Sequence, residues 1–219
     1  RLVVQPIIQK QLSYEEAMEL AYFGAKVIHP NTMAPMVERA IPIWIRNTNR
    51  PQTPGTCIHS AQPDDQAVVK GLASIQELAL INVEGSGMIG VPGIASRLFG
   101  GLREAHISVV MISQASSEHS ICFAVPQSQA HVAREAVEQT FAYELSHGKI
   151  QTVDVQEDCA IIAAVGDVMA HRTGVAALFF RALGQAGINV RAIAQGSSER
   201  NITAVVDQSQ AARAIQAVH

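Results

Sequence analysis

The chain has 219 residues, 48% hydrophobic and 16% charged, which is enough apolar material for one large packed domain or two small ones. Its formal net charge is only -3 and it contains no long run of Lys or Arg, so neither nucleic acid nor a membrane surface is an expected partner. Three widely spaced cysteines without metal-ligand spacing favour reduced thiols in a cytoplasmic protein, and the sequence predicts no metal site.

The first third of the chain predicts helices, strands and a loop before any repeated pattern begins. Residues 13–40 have helical spacing, and Ser13 followed by Glu16 is the signature of a capping box at a helix start. The segment IPIWIRNT, which begins at Ile41, is predicted as a strand, and the Pro- and Gly-rich residues 49–66 as a loop. The segment AVVKGLASI, residues 67–75, is a further predicted strand.

The rest of the chain contains one unit twice. Residues 80–130 align without a gap onto residues 161–211, a shift of 81 positions, and roughly 20 of about 50 positions are identical. Each copy predicts a strand, a helix, and two further strands joined by a Ser-rich turn. In the second copy, Thr173 is a candidate cap for the helix start and Gly187 a candidate left-handed residue at its end.

The order of these elements predicts an α+β fold with two ferredoxin-like βαββαβ units. The first copy continues with a second helix and a closing strand, KIQTVDV, whereas the second copy ends before its own closing strand. We expect residues 67–75 to supply that missing strand, which would nest the first unit inside the second. The expected boundaries are, in chain order, residues 1–60 for an N-terminal segment, 61–76 for a connecting loop and strand, 77–158 for the first unit and 159–219 for the second.

The segment GSGMIG, from Gly85 to Gly90, fits the dinucleotide-binding pattern G-x-G-x-x-G between a strand and a helix. Three features oppose that interpretation. The following strand runs into Gln114 instead of an acidic residue, the second copy reads GDVMAH at this place, and a βαββαβ unit lacks parallel crossovers. A dinucleotide-dependent oxidoreductase stays open as an alternative function, and glycines that permit a tight turn beside a small ligand or a subunit are the simpler explanation.

Gln114 and Gln195 occupy equivalent positions at the ends of apolar strands, in the duplicated segments QASSEHSI and QGSSERNI. A side-chain amide offers donors and an acceptor, which suits an amino-acid ligand, although a glutamine can also satisfy a local backbone group at a strand end. The Ser-Ser-Glu that follows each glutamine predicts a turn. Because Arg200 stands in the second copy where the first has His119, a Ser-His hydrolase is disfavoured.

Several segments resemble a known enzyme family. The segment LSYEEAMELAYFGAKVIHP and the residues after it resemble the closing part of the aspartokinase catalytic domain, and both copies of the repeat resemble the paired ACT units that follow it. The segments SQASSEHSI and AIAQGSSERNI are most similar to bifunctional aspartokinase/homoserine dehydrogenases of the threonine-sensitive type. ACT units are βαββαβ modules that bind amino acids, and in this family one unit is nested within the other, in agreement with the repeat.

The resemblance implies a regulatory region that binds L-threonine and self-associates as a homodimer, in a parent that uses MgATP to phosphorylate aspartate and NAD(P)H to reduce aspartate semialdehyde. Lys26 matches a lysine near the nucleotide, but the family's phosphate-binding stretch Lys-Phe-Gly-Gly-Thr-Ser is absent, so we expect no catalysis and no cofactor in this chain alone. A purely structural dimerisation module is the second alternative. The implied effector-binding residues are Gln114, Gln195, Asn189, Gly85, Gly93, Gly166, Asp167 and Gly174.

Overall fold

The structure is a computed structural model that describes residues 7–25, 28–60, 67–114 and 119–219. Its N-terminal segment forms a three-stranded sheet, in the order β1-β3-β2, and two helices. The third strand lies inside residues 49–66, which were predicted as a loop, and it pairs in parallel with the first strand, so that prediction was wrong for these residues. The elements are β1 (Gln11–Ser13), α1 (Tyr14–Tyr22), α2 (Pro30–Glu38), β2 (Ile43–Ile45) and β3 (Thr56–His59).

The helical spacing over residues 13–40 corresponds to two helices instead of one continuous helix. The capping box is confirmed, because Ser13 Oγ accepts a hydrogen bond from Glu16 N and Glu16 Oε2 accepts one from Ser13 N, both at 3.0 Å. Helix α1 ends just before Gly24, whose φ of 99° is a left-handed conformation that glycine adopts cheaply. Pro30 begins α2, at the position where a missing N–H costs nothing.

The remaining strands form a single six-stranded sheet, in the order β5-β6-β4-β7-β9-β8, and every neighbouring pair is antiparallel. Six strands and five α-helices make up the described part of this region. They are β4 (Gly71–Glu84), α3 (Ile94–Glu104), β5 (Met111–Gln114), β6 (Ser120–Pro126), α4 (Ala130–Thr140), α5 (Ala142–Ser146), β7 (Thr152–Val165), α6 (Val175–Gln185), β8 (Ala192–Ala194), β9 (Asn201–Asp207) and α7 (Ala211–Val218).

Two 14-residue strands, β4 and β7, lie at the centre of the sheet and belong to both repeats. Residues 71–75 pair with residues 161–165, and residues 78–84 pair with residues 152–159. We call residues 78–158 the first unit, and residues 159–219 together with residues 71–75 the second unit. The nested βαββαβ arrangement predicted from the repeat is confirmed, but the sequence did not predict that the closing strand of each unit continues directly into the opening strand of the other.

The strands change from one unit to the other at two equivalent residues with unusual backbone conformations. Glu77 has a φ of 58° and Asp158 a φ of 51°, and a β-bulge interrupts the pairing beside them. Gln208 Oε1 accepts a hydrogen bond from Glu77 N at 2.6 Å, and Gln127 Oε1 accepts one from Asp158 N at 3.1 Å. A glutamine from each unit therefore replaces the backbone partner that the bulge removes.

Helices cover one face of the six-stranded sheet. In the first unit α3 and α4 pack on the sheet around the fully buried Leu98 and Phe123. In the second unit α6 and α7 pack around Ile162 and Leu183. Helix α1 of the N-terminal segment places Phe23 against the opposite face, so the N-terminal segment and both units share a core. Within the described ranges, no helix has the length and apolar character needed to cross a membrane.

The equivalent helices α3 and α6 both begin after a left-handed glycine, and each is followed by a left-handed residue, which is glycine in one unit and histidine in the other. Gly93 and Gly174 are the N-cap residues, with φ values of 84° and 87°, so the prediction of Thr173 as the N-cap was wrong by one residue. At the other end Gly187 has a φ of 66°, which confirms the predicted left-handed stop. The first unit has His106 at this position, with a φ of 57°.

A left-handed conformation is strained for a residue with a Cβ, and His106 is exposed, so its side chain gains little from packing. We therefore expect His106→Gly to raise the free energy of unfolding by about 1 kcal/mol, measured by urea denaturation. The second unit offers the reciprocal control, because no atom lies within 4 Å of a Cβ built on Gly187. Gly187→His should lower stability by a similar amount, and equal stability of both variants and the wild type would contradict this assignment of strain.

One buried carboxylate links the N-terminal segment to the second unit. Glu16 is fully buried and, besides capping α1, its Oε1 accepts a hydrogen bond from Asp167 N at 2.9 Å. The equivalent amide of the first unit, Ser86 N, donates instead to Gln151 Oε1 of its own unit at 3.0 Å. The turn after the opening strand of the second unit therefore depends on the N-terminal segment, whereas that of the first unit does not.

The two carboxylate oxygens of Glu16 accept hydrogen bonds from Ser13 N and Asp167 N. A glutamine at this position has only one oxygen, so its side-chain N–H group would face one of these two backbone N–H groups. We expect Glu16→Gln to lower the free energy of unfolding by about 2 kcal/mol, because a buried donor loses its partner. Glu15→Gln is the matched control in the same turn of α1 and should change stability by less than about 0.5 kcal/mol. Equal effects of the two variants on urea denaturation would show that the Glu16 bridge contributes nothing.

Candidate functional site

The two outer strands of the six-stranded sheet, β5 and β8, approach each other although they lie at opposite edges. Ser113 Oγ of β5 donates a hydrogen bond to the carbonyl oxygen of Ile193 in β8 at 2.8 Å. The sheet therefore curves until its two edges meet, in the sense that twisted sheets with β-bulges allow. Residues at the ends of β5 and β8 are brought together in this way.

A cavity of about 400 Å³ opens where these edges meet, and it lies within the range of about 300–1,000 Å³ that small-molecule sites occupy. Gln114, the last residue of β5, and Gln195, which follows β8, both line it. The duplicated glutamines therefore line one shared cavity, although they belong to different units. The lining residues are Phe23, Val110, Met111, Ile112, Ser113, Gln114, Ile193, Ala194, Gln195, Gly196, Asn201 and Thr203.

The cavity combines neutral polar groups with apolar walls. Its polar side chains are amides and hydroxyls, and none of the residues that line it is charged. Amides supply donors for a carboxylate and acceptors for an ammonium or a hydroxyl, so such a lining can hold a small zwitterion. Ile112 and Ile193 are about half exposed and offer an apolar contact at equivalent positions of the two strands.

The turns that follow the opening strands do not line this cavity. A Cβ built on Gly85 would lie 2.4 Å from the carbonyl oxygen of Lys149, and one on Gly166 would lie 2.2 Å from that of Val68, so both glycines are needed for close packing within the fold. Gly93 and Gly174 serve as left-handed N-caps, as described above. Asn189 is exposed and precedes β8, outside the cavity.

Asp167 lies in a different, polar cavity of about 560 Å³ between the N-terminal segment and the second unit. Its carboxylate pairs with Arg200, with Arg200 Nε 3.1 Å from Asp167 Oδ1. Ser13 and Glu15 of the N-terminal segment line this cavity together with residues 197–200. The structure therefore separates Asp167 from Gln114 and Gln195, which the sequence had grouped as ligands of the same kind.

The glycine-rich turn of the first unit packs against its own unit. In the GSGMIG segment, a Cβ on Gly87 would lie 2.4 Å from Lys149 Cβ, so this glycine is needed for close packing within the fold. The antiparallel sheet also lacks the parallel crossovers of dinucleotide-binding folds. Lys26, predicted as a remnant of the kinase nucleotide site, lies outside the described residues. Among the residues the structure describes, no cluster of His, Cys, Asp or Glu could hold a metal ion.

Of the residues that line the cavity, the sequence analysis predicted only Gln114 and Gln195, and three of those it missed lie outside the strands β5 and β8 and the residues adjoining them. Asn201 and Thr203 are alternate residues of β9, and their period of two in NITAVVD could have placed both on one face of the strand. Phe23 directly follows α1, almost 90 residues before the nearest other lining residue, and no local pattern could have associated it with the cavity. The turn predicted after Gln195 is present, since Glu199 N donates to the carbonyl oxygen of Gly196 at 3.0 Å.

Comparison with known proteins identifies the family of both units. The model of the ACT domain family matches residues 81–141 and 162–219. All of this chain aligns at 49% identity with 25% of the bifunctional aspartokinase/homoserine dehydrogenase 1, chloroplastic, of Arabidopsis thaliana. All of it aligns at 48% identity with 27% of the bifunctional aspartokinase/homoserine dehydrogenase of Haemophilus influenzae. The chain thus spans about a quarter of the length of these curated relatives, and the plant relatives' chloroplastic names mean that the family alone does not place it in the cytoplasm.

Solved structures of aspartate kinases have the same fold. The aspartate kinase of Clostridium acetobutylicum superposes with a TM-score of 0.88 at 26% identity, over 99% of this chain and 49% of that one. Aspartokinase III of E. coli, solved with lysine and aspartate in its T-state, gives 0.74 at 26% identity, over 96% and 45%. The regulatory subunit of aspartate kinase from Thermus thermophilus gives 0.58 at 30% identity, over 69% and 97%. The chain therefore belongs to the ACT domain family and is a regulatory region of the aspartokinase type, homologous to the bifunctional aspartokinase/homoserine dehydrogenases.

Proposed function

We propose that this region senses L-threonine and that threonine binds in the cavity between β5 and β8. The observation that carries the proposal is the position of Gln114 and Gln195, because the residues duplicated at the strand ends line one cavity of suitable size. Each unit contributes one glutamine, so a bound ligand would be contacted by both units at once. Binding at this place would fix the position of one sheet edge relative to the other.

The chemistry of the lining favours threonine over lysine as the effector. Threonine carries a hydroxyl and a methyl group, which match the amide and hydroxyl side chains and the exposed Ile112 and Ile193. No Asp or Glu lines this cavity to pair with the side-chain ammonium of lysine, and Glu19, which lines the adjoining space, already accepts a hydrogen bond from Asn201. Solved E. coli aspartokinase III was captured with lysine in a T-state and with aspartate and ADP in an R-state. By analogy, threonine would inhibit the parent enzyme of this region if it binds one arrangement of the two units more tightly than the other.

We further propose that the parent phosphorylates L-aspartate with MgATP and reduces aspartate semialdehyde with NAD(P)H, the two reactions implied by the resemblance to bifunctional aspartokinase/homoserine dehydrogenases. Three unpaired cysteines fit a reducing compartment such as the cytoplasm. Ile112 and Ile193, which also line the cavity, expose 48% and 47% of their surface on the two edge strands, and self-association of the region as a homodimer through these edges would bring the partner subunit against the cavity. Dimerisation without an effector is the second candidate function supported by this observation.

Thermal unfolding of the chain with millimolar L-threonine tests the proposal, with L-lysine, L-methionine and NADPH run in parallel. A ligand present at about 100 times its dissociation constant stabilises the folded state by roughly 2.7 kcal/mol, and we expect only threonine to raise the melting temperature in this way. Gln114→Ala and Gln195→Ala should each abolish the rise while the dimer, followed by analytical ultracentrifugation, stays intact.

Gln139→Ala provides the matched control, because Gln139 is an exposed glutamine of α4 that does not line the cavity. Its response to threonine should equal that of the wild type. A threonine response that survives both cavity substitutions would place the site elsewhere. A response to none of the three amino acids would leave dimerisation as the function of the region.

A further inference from the structure

One face of α1 closes the cavity from the side of the N-terminal segment. Glu19 and Tyr22 lie three residues apart on α1, and Phe23, the C-cap residue of this helix, comes four residues after Glu19. Phe23 lines the cavity directly, and Tyr22 Oη donates a hydrogen bond at 2.8 Å to the carbonyl oxygen of Val110, another lining residue. Burial, and to a smaller extent the Glu19 carboxylate, raise the pKa of the Tyr22 phenol, which therefore keeps its donor proton.

The third of these residues, Glu19, contacts the cavity wall through Asn201. Asn201 Nδ2 donates a hydrogen bond to Glu19 Oε2 at 2.9 Å, and Asn201 itself lines the cavity. An ionised carboxylate can only accept hydrogen bonds, so it selects the nitrogen end of the Asn201 amide. The oxygen end is thereby fixed on the other side of the amide, where Thr203 Oγ1 makes a long contact of 3.5 Å with it.

The cavity has no charged lining residue, so a ligand ammonium group must donate its hydrogen bonds to neutral oxygens. An amide oxygen held in one position can accept such a bond. The contact from Thr203 is at the outer limit of hydrogen-bond length, so Asn201 Oδ1 retains the capacity to accept a stronger bond. A ligand ammonium or hydroxyl can supply that bond. Glu19 also lines the adjoining space next to Asn201 and Phe23, and its negative charge favours an ammonium on this side of the cavity.

We propose that Glu19 is a positioning residue for ligand recognition, which holds Asn201 with its amide oxygen towards the ammonium group of the bound amino acid. The inference rests on the proposed function, because it concerns the same cavity. Glu19 belongs to the segment that resembles the aspartokinase catalytic domain, so the ligand site is incomplete without that segment. Ligand binding strengthens the Glu19–Asn201 contact and transmits occupancy of the cavity to α1.

Calorimetric titration of the chain with threonine tests this inference through the variant Glu19→Gln. A glutamine can either donate or accept, so it no longer selects one end of the Asn201 amide, and we expect affinity to fall about tenfold. Glu15→Gln removes the same charge one turn earlier in α1 without touching Asn201, and it should bind as tightly as the wild type. Unfolding curves without ligand verify that both variants are folded.

The exchanged pair Glu19→Gln with Asn201→Asp separates positioning from a structural role. Here the glutamine donates to the aspartate, which again presents an oxygen to the ligand, so affinity should return at least to the wild-type value. If Glu19→Gln binds as tightly as the wild type, or if the exchanged pair binds as weakly as Glu19→Gln, the inference is wrong while the proposed function stands. If the wild type binds no amino acid, the proposed function and this inference fail together.

Discussion

The antiparallel pairing of β4 with β7 is the interaction on which the rest of the structure depends. Each of these 14-residue strands closes one unit and opens the other, so neither unit can complete its sheet without the second. The ladder continues through the bulges at Glu77 and Asp158 because Gln208 and Gln127 satisfy the backbone amides there. One continuous sheet of six strands therefore replaces two separate ones.

The candidate site is a consequence of that continuity. Because the sheet curves until β5 and β8 meet, the two copies of the glutamine segment contribute to one cavity. The two units are nevertheless not equivalent in their relation to the N-terminal segment. Glu16 and Glu19 of α1 bind Asp167 and Asn201, both of the second unit, whereas the first unit supplies its own partner for the corresponding turn. Such an asymmetry provides a physical route from the cavity to the segment that resembles the kinase domain.

The sequence predicted the features that depend on local pattern and on repetition. Strands β6 and β9 coincide with the segments SICFAVP and NITAVVD, and the capping box at Ser13 and the nested topology were likewise predictable. Most of the features it did not predict depend on contacts distant in sequence. Nothing local distinguishes β3 within a Pro-rich stretch or brings Phe23 to the cavity. The meeting of β5 and β8 follows from the curvature of the whole sheet, which no single segment encodes.

The most direct test of this account is the number of threonine molecules bound per chain, measured by isothermal titration calorimetry. The account predicts one, because Gln114 and Gln195 line a single cavity, and it predicts that substitution of either glutamine removes that one binding event. Two binding events per chain, each removed by the substitution of only one glutamine, would contradict it. That result would mean that each unit carries its own site and that the meeting of the two sheet edges is not the basis of ligand binding.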